Sequence, residues 1–146
     1  MTFETCGFER SNTMLSKNHE PLMQCFEHLV TDFNNEDGVM WCYMKPYPRP
    51  CFTPQRLIDL KRFLHVIKER LSNDFDSKGN SDIKYLVFVS YRPGIFSLGG
   101  DLSLFTECIN SSDRQRLTDY MRLSIDVMYS IYSNLDVPLT TISLLR

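Results

Sequence analysis

The sequence predicts an α/β fold in which helices cover a parallel sheet. Short apolar runs of strand type alternate along the chain with longer segments of helical periodicity. The run Lys84–Ser90 is apolar on both of its alternating faces, which is typical of a strand buried in a parallel sheet. The helical segments between strands are long enough to be the crossover connections that parallel strands need.

The first predicted element is an antiparallel hairpin. β-Branched and aromatic residues are frequent in Cys25–Phe33, and Val39–Met44 is a nearly continuous apolar run. The turn Asn34–Gly38 between them ends in Asp-Gly, a pair that favours hairpins. The next segment, Lys45–Pro50, has alternating prolines that cannot donate to a sheet, so we expect an extended connector.

A long amphipathic helix is predicted after the connector. Thr53 suits the N-cap and Pro54 the first helical position. An apolar stripe at spacings of three and four extends over about five turns. The stripe consists of Leu57, Leu60, Leu64, Ile67 and Leu71. Arg56 falls outside the stripe, and the polar segment Ser72–Asp82 predicts a loop.

Two helices and a last strand are predicted beyond the central strand. A short helix extends from Asp101 to about Ile109, and Ser111–Asp113 caps a longer helix that ends near Leu135. The packed side of the longer helix is expected to carry Leu117, Tyr120, Met121, Met128, Ile131 and Leu135. The apolar run Leu139–Leu145 predicts the last strand.

Composition restricts the class of protein. The 146 residues include 16 basic and 18 acidic side chains, for a net charge of −2, so the basic surplus of nucleic-acid-binding domains is absent. No apolar run approaches the ~20 residues of a membrane span, and the first residues do not resemble a signal peptide. We expect a soluble cytoplasmic protein, with an irregular arm over residues 1–24 and one folded unit over residues 25–146.

Cysteines and histidines give no sign of a metal site. The five cysteines are Cys6, Cys25, Cys42, Cys51 and Cys108. Their odd number and wide spacing predict reduced thiols, without disulfides. The three histidines add no zinc-like spacing, and no neighbouring base would activate a thiol. We therefore expect neither a metal nor thiol catalysis.

The most informative segment is the junction Phe96–Leu102 between a strand and a helix. Gly99 and Gly100 allow a sharp turn and expose N–H groups, with the positive end of the helix dipole directly behind them. Such a loop can bind a phosphate or stabilise an oxyanion. The lysine of a phosphate loop and the glycine spacing of a dinucleotide fingerprint are absent. The spacing alone leaves open a plain turn with Asp101 as N-cap.

The same region resembles the crotonase (enoyl-CoA hydratase/isomerase) superfamily. Tyr85–Ser90 followed by Pro93–Leu102 is similar to the first oxyanion-hole segment of that superfamily. The resemblance extends from Glu27 to Arg146. It implies the N-terminal part of a crotonase-like ββα spiral core, with the C-terminal half of the fold missing.

Two further segments resemble one branch of the superfamily. Met44–Pro46 with Pro48–Thr53, and Leu98–Phe105, are similar to diffusible-signal-factor synthases. This branch makes cis-2-unsaturated fatty-acid signals in bacteria. The resemblance implies a 3-hydroxyacyl thioester dehydratase with a thioesterase step, and a substrate carried on coenzyme A or acyl carrier protein without a separate cofactor. A homo-oligomer of the trimer type is consistent with the superfamily.

The resemblance also implies roles for the loop. Two backbone N–H groups would bind the thioester carbonyl and stabilise the enolate, and Gly100 would supply the first of them. The segment that binds substrate would comprise Phe96, Ser97, Leu98, Gly99 and Asp101. In the synthase branch two glutamates transfer the protons.

Those glutamates have no counterpart in this sequence. In the superfamily they and the second N–H donor follow the strand that matches Thr140–Leu144, whereas this sequence ends at Arg146. Glu107, which alone among glutamates follows Asp101, matches neither position. We expect the chain alone to be inactive. The alternatives are a non-catalytic remnant, an acyl-thioester- or protein-binding module, and a shortened version of a longer enzyme.

Overall fold

The computed structural model describes residues 26–78 and 82–145; the predicted arm, residues 1–24, lies outside them, as does Cys25. The elements in chain order are β1 (Leu29–Asn34), β2 (Val39–Met44), α1 (Pro54–Lys78), β3 (Tyr85–Ser90), α2 (Leu102–Asn110), α3 (Arg114–Tyr132) and β4 (Thr140–Leu144). The predicted α/β class is confirmed.

A four-stranded sheet of order β1-β2-β3-β4 forms the centre of the fold. β1 and β2 make the predicted antiparallel hairpin, while β3 pairs in parallel with β2 on one side and β4 on the other. Gly38 in the hairpin turn has a φ of +68°, and a Cβ there would stand 2.7 Å from the carbonyl oxygen of Asp82. The turn therefore requires glycine.

The hydrophobic core lies between α1 and one face of the sheet. Every residue of the predicted α1 stripe is buried, and Phe63 of the same helix packs edge-on against Phe26 at 6.0 Å. Thr53 caps the helix as predicted, because its Oγ1 accepts from the Arg56 N–H at 3.3 Å. The helix continues to Lys78, so the predicted loop Ser72–Asp82 begins too early. Once a helix exists, each added residue gains a bond without a new nucleus, and even weak helix formers extend it.

Helix α3 ends earlier than predicted. It stops at Tyr132, and Asn134–Asp136 form a 3-10 turn whose φ angles of +52°, +60° and +56° are left-handed. The Asn134 Oδ1 accepts from the N–H and the hydroxyl of Thr141, at 3.0 and 2.8 Å, and so ties the turn to β4. Leu135 still reaches the core, but from this turn.

The packed side of α3 also differs from the prediction. Tyr120 and Val127 are its buried residues, whereas Met121 and Met128 are 43% and 38% exposed. The prediction that these methionines pack in the core is wrong. A period of 3.6 residues is compatible with more than one choice of buried side on α3. Because α3 packs against α1, the side that contains Val127 is the one that is buried.

The opposite face of the sheet is also apolar. By register it carries Trp41, Val87 and Ile142 on three adjacent strands, and Trp41 stacks on Tyr43 at 5.9 Å. On β4 this face is open to solvent, since Ile142 and Leu144 are each 40% exposed. In the part of the chain that the structure describes, no helix is long and apolar enough to cross a bilayer.

Candidate functional site

The connectors that follow β2 and β3 meet at the carboxyl edge of these parallel strands. β2 ends at Met44 and β3 at Ser90, and the Tyr91 N–H donates to the Met44 carbonyl at 3.0 Å. In α/β proteins this edge is where ligands bind, because several connectors converge there.

The proline-rich connector and the Gly-Gly loop form one unit. The Leu98 N–H donates to the Pro50 carbonyl at 2.7 Å, and the Phe52 N–H donates to the Gly99 carbonyl at 2.8 Å. Phe52 and Gly100 thereby form a parallel bridge outside the main sheet. The two segments that carry the family resemblance are thus in direct contact.

The N–H groups of the loop differ in their partners. The Gly99 N–H donates to the Ser97 hydroxyl at 3.1 Å, and the Asp101 N–H donates to the Tyr120 hydroxyl at 3.0 Å. The Gly100 N–H has no acceptor among the residues that the structure describes. Gly100 is half-buried, so a ligand can approach it.

The two glycines are required for different reasons. Gly99 has a φ of +83°, in the left-handed region, although the space around its missing Cβ is open. Gly100 is confined instead, since a Cβ there would stand 3.2 Å from the Phe105 Cζ and 3.4 Å from the Tyr120 hydroxyl. A larger residue at position 100 would push the loop away from both rings.

The Asp101 carboxylate is bound within the protein. It accepts from the N–H groups of Ser103 and Leu104, at 3.2 and 3.3 Å, and so is the N-cap of α2. The Arg49 Nη2 lies 3.1 and 3.2 Å from its two oxygens, and the Arg49 Nη1 donates to the Ser103 hydroxyl. The N-cap interpretation of Asp101 is therefore confirmed, and it coexists with an N–H at Gly100 that has no acceptor in the described chain.

The buried side chain of Arg56, on α1, binds the proline-rich connector. The Arg56 guanidinium donates to the carbonyls of Lys45, Tyr47 and Cys51, and burial lowers its pKa. Its Nε has no partner in the described part of the chain. The sequence places Arg56 outside the apolar stripe, which is correct, but gives no sign that it is buried.

Cys51 is the thiol of this region. Burial raises its pKa, as does the negative charge of Asp101, while Arg49 and Arg56 oppose the shift. The thiol therefore stays protonated at neutral pH, which makes it a poor nucleophile.

The structure brings the predicted site residues together along one segment. Phe96 packs against the edge of the core, the Ser97 hydroxyl accepts from the Gly99 N–H, and Leu98 is 64% exposed. Sequence reasoning missed the contacts of Tyr120 with this loop. A tyrosine in a buried helical stripe is a weak signal for such a contact, since a buried hydroxyl needs a partner.

Two other acidic side chains, Glu107 and Asp59, are engaged in ion pairs. Glu107 on α2 pairs with Arg116 at 3.1 Å, with both side chains more than half exposed. His28 and Asp59 form a buried pair at 3.1 Å. Within residues 26–78 and 82–145, no cluster of three His, Cys, Asp or Glu side chains could hold a metal ion.

Solved structures with a similar fold exist, although no protein-family model and no curated protein matches the sequence. An enoyl-CoA hydratase from Shewanella pealeana is 17% identical, with a TM-score of 0.65 over 90% of this chain and 43% of its own. AtuE from Pseudomonas aeruginosa is 15% identical, with a TM-score of 0.63 over 82% of this chain and 40% of its own. DspI from the same organism is 18% identical, with a TM-score of 0.60 over 80% and 37%.

These likenesses define the class of fold. The described chain has an α/β architecture that matches part of the crotonase fold, as the sequence predicts. It spans about two fifths of the length of the structures it matches.

Proposed function

We propose that this chain binds an acyl thioester and that the Gly100 N–H donates a hydrogen bond to the thioester carbonyl. One observation carries the proposal: in the described chain, the loop Leu98–Asp101 has a single N–H without an acceptor, that of Gly100. It lies where α/β folds bind ligands. The name of the similar Shewanella enzyme includes a coenzyme A thioester, which supports this class of ligand.

A backbone N–H suits the chemistry of thioesters. When a proton leaves the carbon next to the carbonyl, negative charge develops on the carbonyl oxygen, and a fixed N–H stabilises it more in the transition state than in the ground state. The N-terminus of α2 adds its positive dipole end, while Arg49 offsets the charge of Asp101. Removal of one such donor typically lowers a rate about 10²- to 10³-fold.

The finer proposal is the dehydration of a medium-chain 3-hydroxyacyl thioester, followed by hydrolysis of the unsaturated thioester that forms. A base takes the proton from the α carbon, the bond to the 3-hydroxyl breaks, and the hydroxyl leaves as water after protonation. Hydrolysis then releases the carrier thiol and a cis-2-unsaturated fatty acid. The resemblance to signal-factor synthases motivates this reaction. The two glutamates that transfer protons in that branch have no counterpart in this sequence.

A second candidate is an acyl-thioester- or protein-binding module without turnover. The contacts of Asp101 and Glu107 favour this candidate for the 146-residue chain by itself. Asp101 is occupied by Arg49 and by the start of α2, and Glu107 pairs with Arg116 at the surface. Neither carboxylate is free to take a proton from a bound substrate.

The proposed partners follow from the same resemblance. The acyl group would arrive in the cytoplasm on coenzyme A or on acyl carrier protein, without a separate cofactor. Assembly into a homo-oligomer of the trimer type is part of the proposal. Sedimentation of the purified chain over a concentration series tests the assembly directly.

The thioester carbonyl itself gives the sharpest test. Octanoyl-CoA and its thioether analogue S-octyl-CoA differ by that carbonyl, so calorimetric titration with both isolates its contribution. We expect tighter binding of the thioester, by about threefold to tenfold for one hydrogen bond, with a shift of the Gly100 amide resonance for the thioester alone. Equal affinities and an unmoved Gly100 signal would refute the proposal.

Turnover separates the two candidates. The chain is incubated with 3-hydroxyoctanoyl acyl carrier protein, and free fatty acid is measured by mass spectrometry. Release of acid by the chain alone excludes the binding module. Binding without release supports it.

A further inference from the structure

The loop with the free N–H is attached to helix α3 by one phenol. We propose that Tyr120 is a positioning residue that orients the Gly100 N–H for the ligand carbonyl. This inference rests on the proposed function, because it concerns how the same site is built.

The Tyr120 hydroxyl fixes the loop on both sides of Gly100. It donates to the Phe52 carbonyl at 2.7 Å and accepts from the Asp101 N–H at 3.0 Å. The Asp101 N–H belongs to the peptide group that directly follows Gly100. Phe52 is the residue that bridges to Gly100 from the connector. One oxygen atom thus holds both neighbours of the free N–H.

The peptide group before Gly100 is held as well. Its carbonyl, that of Gly99, accepts from the Phe52 N–H at 2.8 Å. In a trans peptide the carbonyl and the N–H point in opposite directions. The bond to Phe52 therefore turns the Gly100 N–H away from the connector. Because the Tyr120 hydroxyl binds the Phe52 carbonyl, Tyr120 also helps to set the direction of the Gly100 N–H.

The phenol itself has little freedom. Tyr120 is 5% exposed, and its ring meets Phe105 edge to face with 5.5 Å between ring centroids. The Phe105 ring is also the nearest neighbour of the missing Cβ of Gly100. The position of the hydroxyl is therefore fixed by packing, as a positioning contact requires.

The test is Tyr120→Phe, which removes the hydroxyl and keeps the ring. Wild-type and variant chains are titrated with octanoyl-CoA and with S-octyl-CoA, which lacks the carbonyl. We expect the preference for the thioester to fall about threefold to tenfold, the loss of one hydrogen bond, with the thioether affinity unchanged. The matched control is Tyr129→Phe, the same change at a 63% exposed position of α3, which keeps the full preference.

The outcomes separate this inference from the proposed function. If the wild-type chain prefers the thioester and Tyr120→Phe keeps that preference, the role of Tyr120 is refuted while the function stands. If both affinities fall equally, Tyr120 is a general scaffold residue, and the inference is again refuted. If the wild-type chain shows no preference, the function fails and this inference with it.

A second variant covers a failure of Tyr120→Phe to fold. Phe105→Leu keeps the hydroxyl but loosens the wall that locates it. We expect a partial loss of the thioester preference, about twofold to threefold, because a displaced hydroxyl weakens one hydrogen bond without removing it, and an altered Gly100 amide resonance. An unchanged preference in Phe105→Leu would overturn the inference.

Discussion

Arg49 and Asp101, 52 residues apart in sequence, join the proline-rich connector to the start of α2. The Arg49 Nη2 contacts both oxygens of a carboxylate whose side chain is 6% exposed, while Arg49 itself is 48% exposed. One partner is thus buried and the other solvated. We therefore expect the removal of Asp101 and the removal of Arg49 to lower the free energy of unfolding by different amounts.

Loss of Asp101 is predicted to cost more than loss of Arg49. We expect Arg49→Met to lower the free energy of unfolding by about 1 kcal/mol, because solvent screens the exposed partner. Asp101→Ala also removes the cap of α2 and should cost about 2–3 kcal/mol. Urea denaturation measures both. The control is Lys61→Met, whose pair with Asp126 is more than half exposed and should contribute almost nothing; equal costs for all three variants would contradict the prediction.

Arg56 is predicted to be a strong determinant of stability. Arg56→Met leaves the carbonyls of Lys45, Tyr47 and Cys51 without their donor. Relief of guanidinium burial offsets part of that loss, and we expect a decrease of about 2–3 kcal/mol in the free energy of unfolding. Arg62→Met, at an exposed position of the same helix, is the control and should stay within about 0.5 kcal/mol. A near-neutral Arg56→Met would show that the connector does not depend on this contact.

Stability is predicted to fall at alkaline pH through Cys42. Burial raises the pKa of the Cys42 thiol far above its ordinary value. Above that ordinary value, about 8.5, the unfolded chain loses the proton while the folded chain keeps it, so the unfolded state gains stability. Denaturation from pH 8 to pH 10 should show a decline in the free energy of unfolding that is steeper in wild type than in Cys42→Ala, and the difference in slope should grow toward about 1.4 kcal/mol per pH unit near pH 10. Parallel slopes would mean that Cys42 ionises freely in the folded chain.

A glycine at position 112 is predicted to stabilise the turn between α2 and α3. Ser112 has a φ of +56° just after the end of α2, where a residue without Cβ is favoured. We expect Ser112→Gly to raise the free energy of unfolding by about 0.5–1 kcal/mol. Ser111→Gly, whose φ is −89° and whose hydroxyl donates to the Glu107 carbonyl, should instead lower it. Thermal denaturation of the pair measures the contrast, and a shift in the same direction for both would refute this explanation.

The open apolar face on β4 is predicted to promote self-association. Leu144 is 40% exposed on a strand whose pairing in the described chain is with β3 alone. A charge there disfavours association through a sheet edge or face, so Leu144→Lys should lower the mean mass in sedimentation at high concentration. Ser143→Lys, at an exposed polar position on the other face of the same strand, is the control for charge. An unchanged mass distribution in Leu144→Lys would exclude this surface from the association.

Local chemistry explains what could be predicted from the sequence. Caps and spacings are decided by residues within a few positions of each other. The expected N-cap Thr53 is confirmed, as are the N-cap alternative for Asp101 and the cap expected within Ser111–Asp113, which is Asp113. The strands could be predicted from apolar runs, because β3 is buried on both faces and β1 and β2 are joined by a turn that contains Gly38. The start of α1 and the order of all elements therefore needed no tertiary information.

The rest depends on contacts between distant segments. The Tyr120 hydroxyl meets Phe52 across 68 positions, and no local pattern encodes that bond. The burial of Arg56 likewise arises because three carbonyls of the connector turn toward it. The end of α3 was missed because a left-handed turn at Asn134–Asp136 overrides the helical period. The roles of Phe96–Asp101 toward a ligand stay predictions.

The parallel bridge between Phe52 and Gly100 bears on protein engineering. A short peptide copied from the Gly-Gly loop into another scaffold would lose the partner strand that aims its free N–H. A transplant that keeps the geometry has to carry three discontinuous pieces: the connector Arg49–Thr53, the loop with the first turn of α2, and the tyrosine from α3. The smallest transferable unit of this site is therefore a layer of the fold, made of pieces that are distant in sequence.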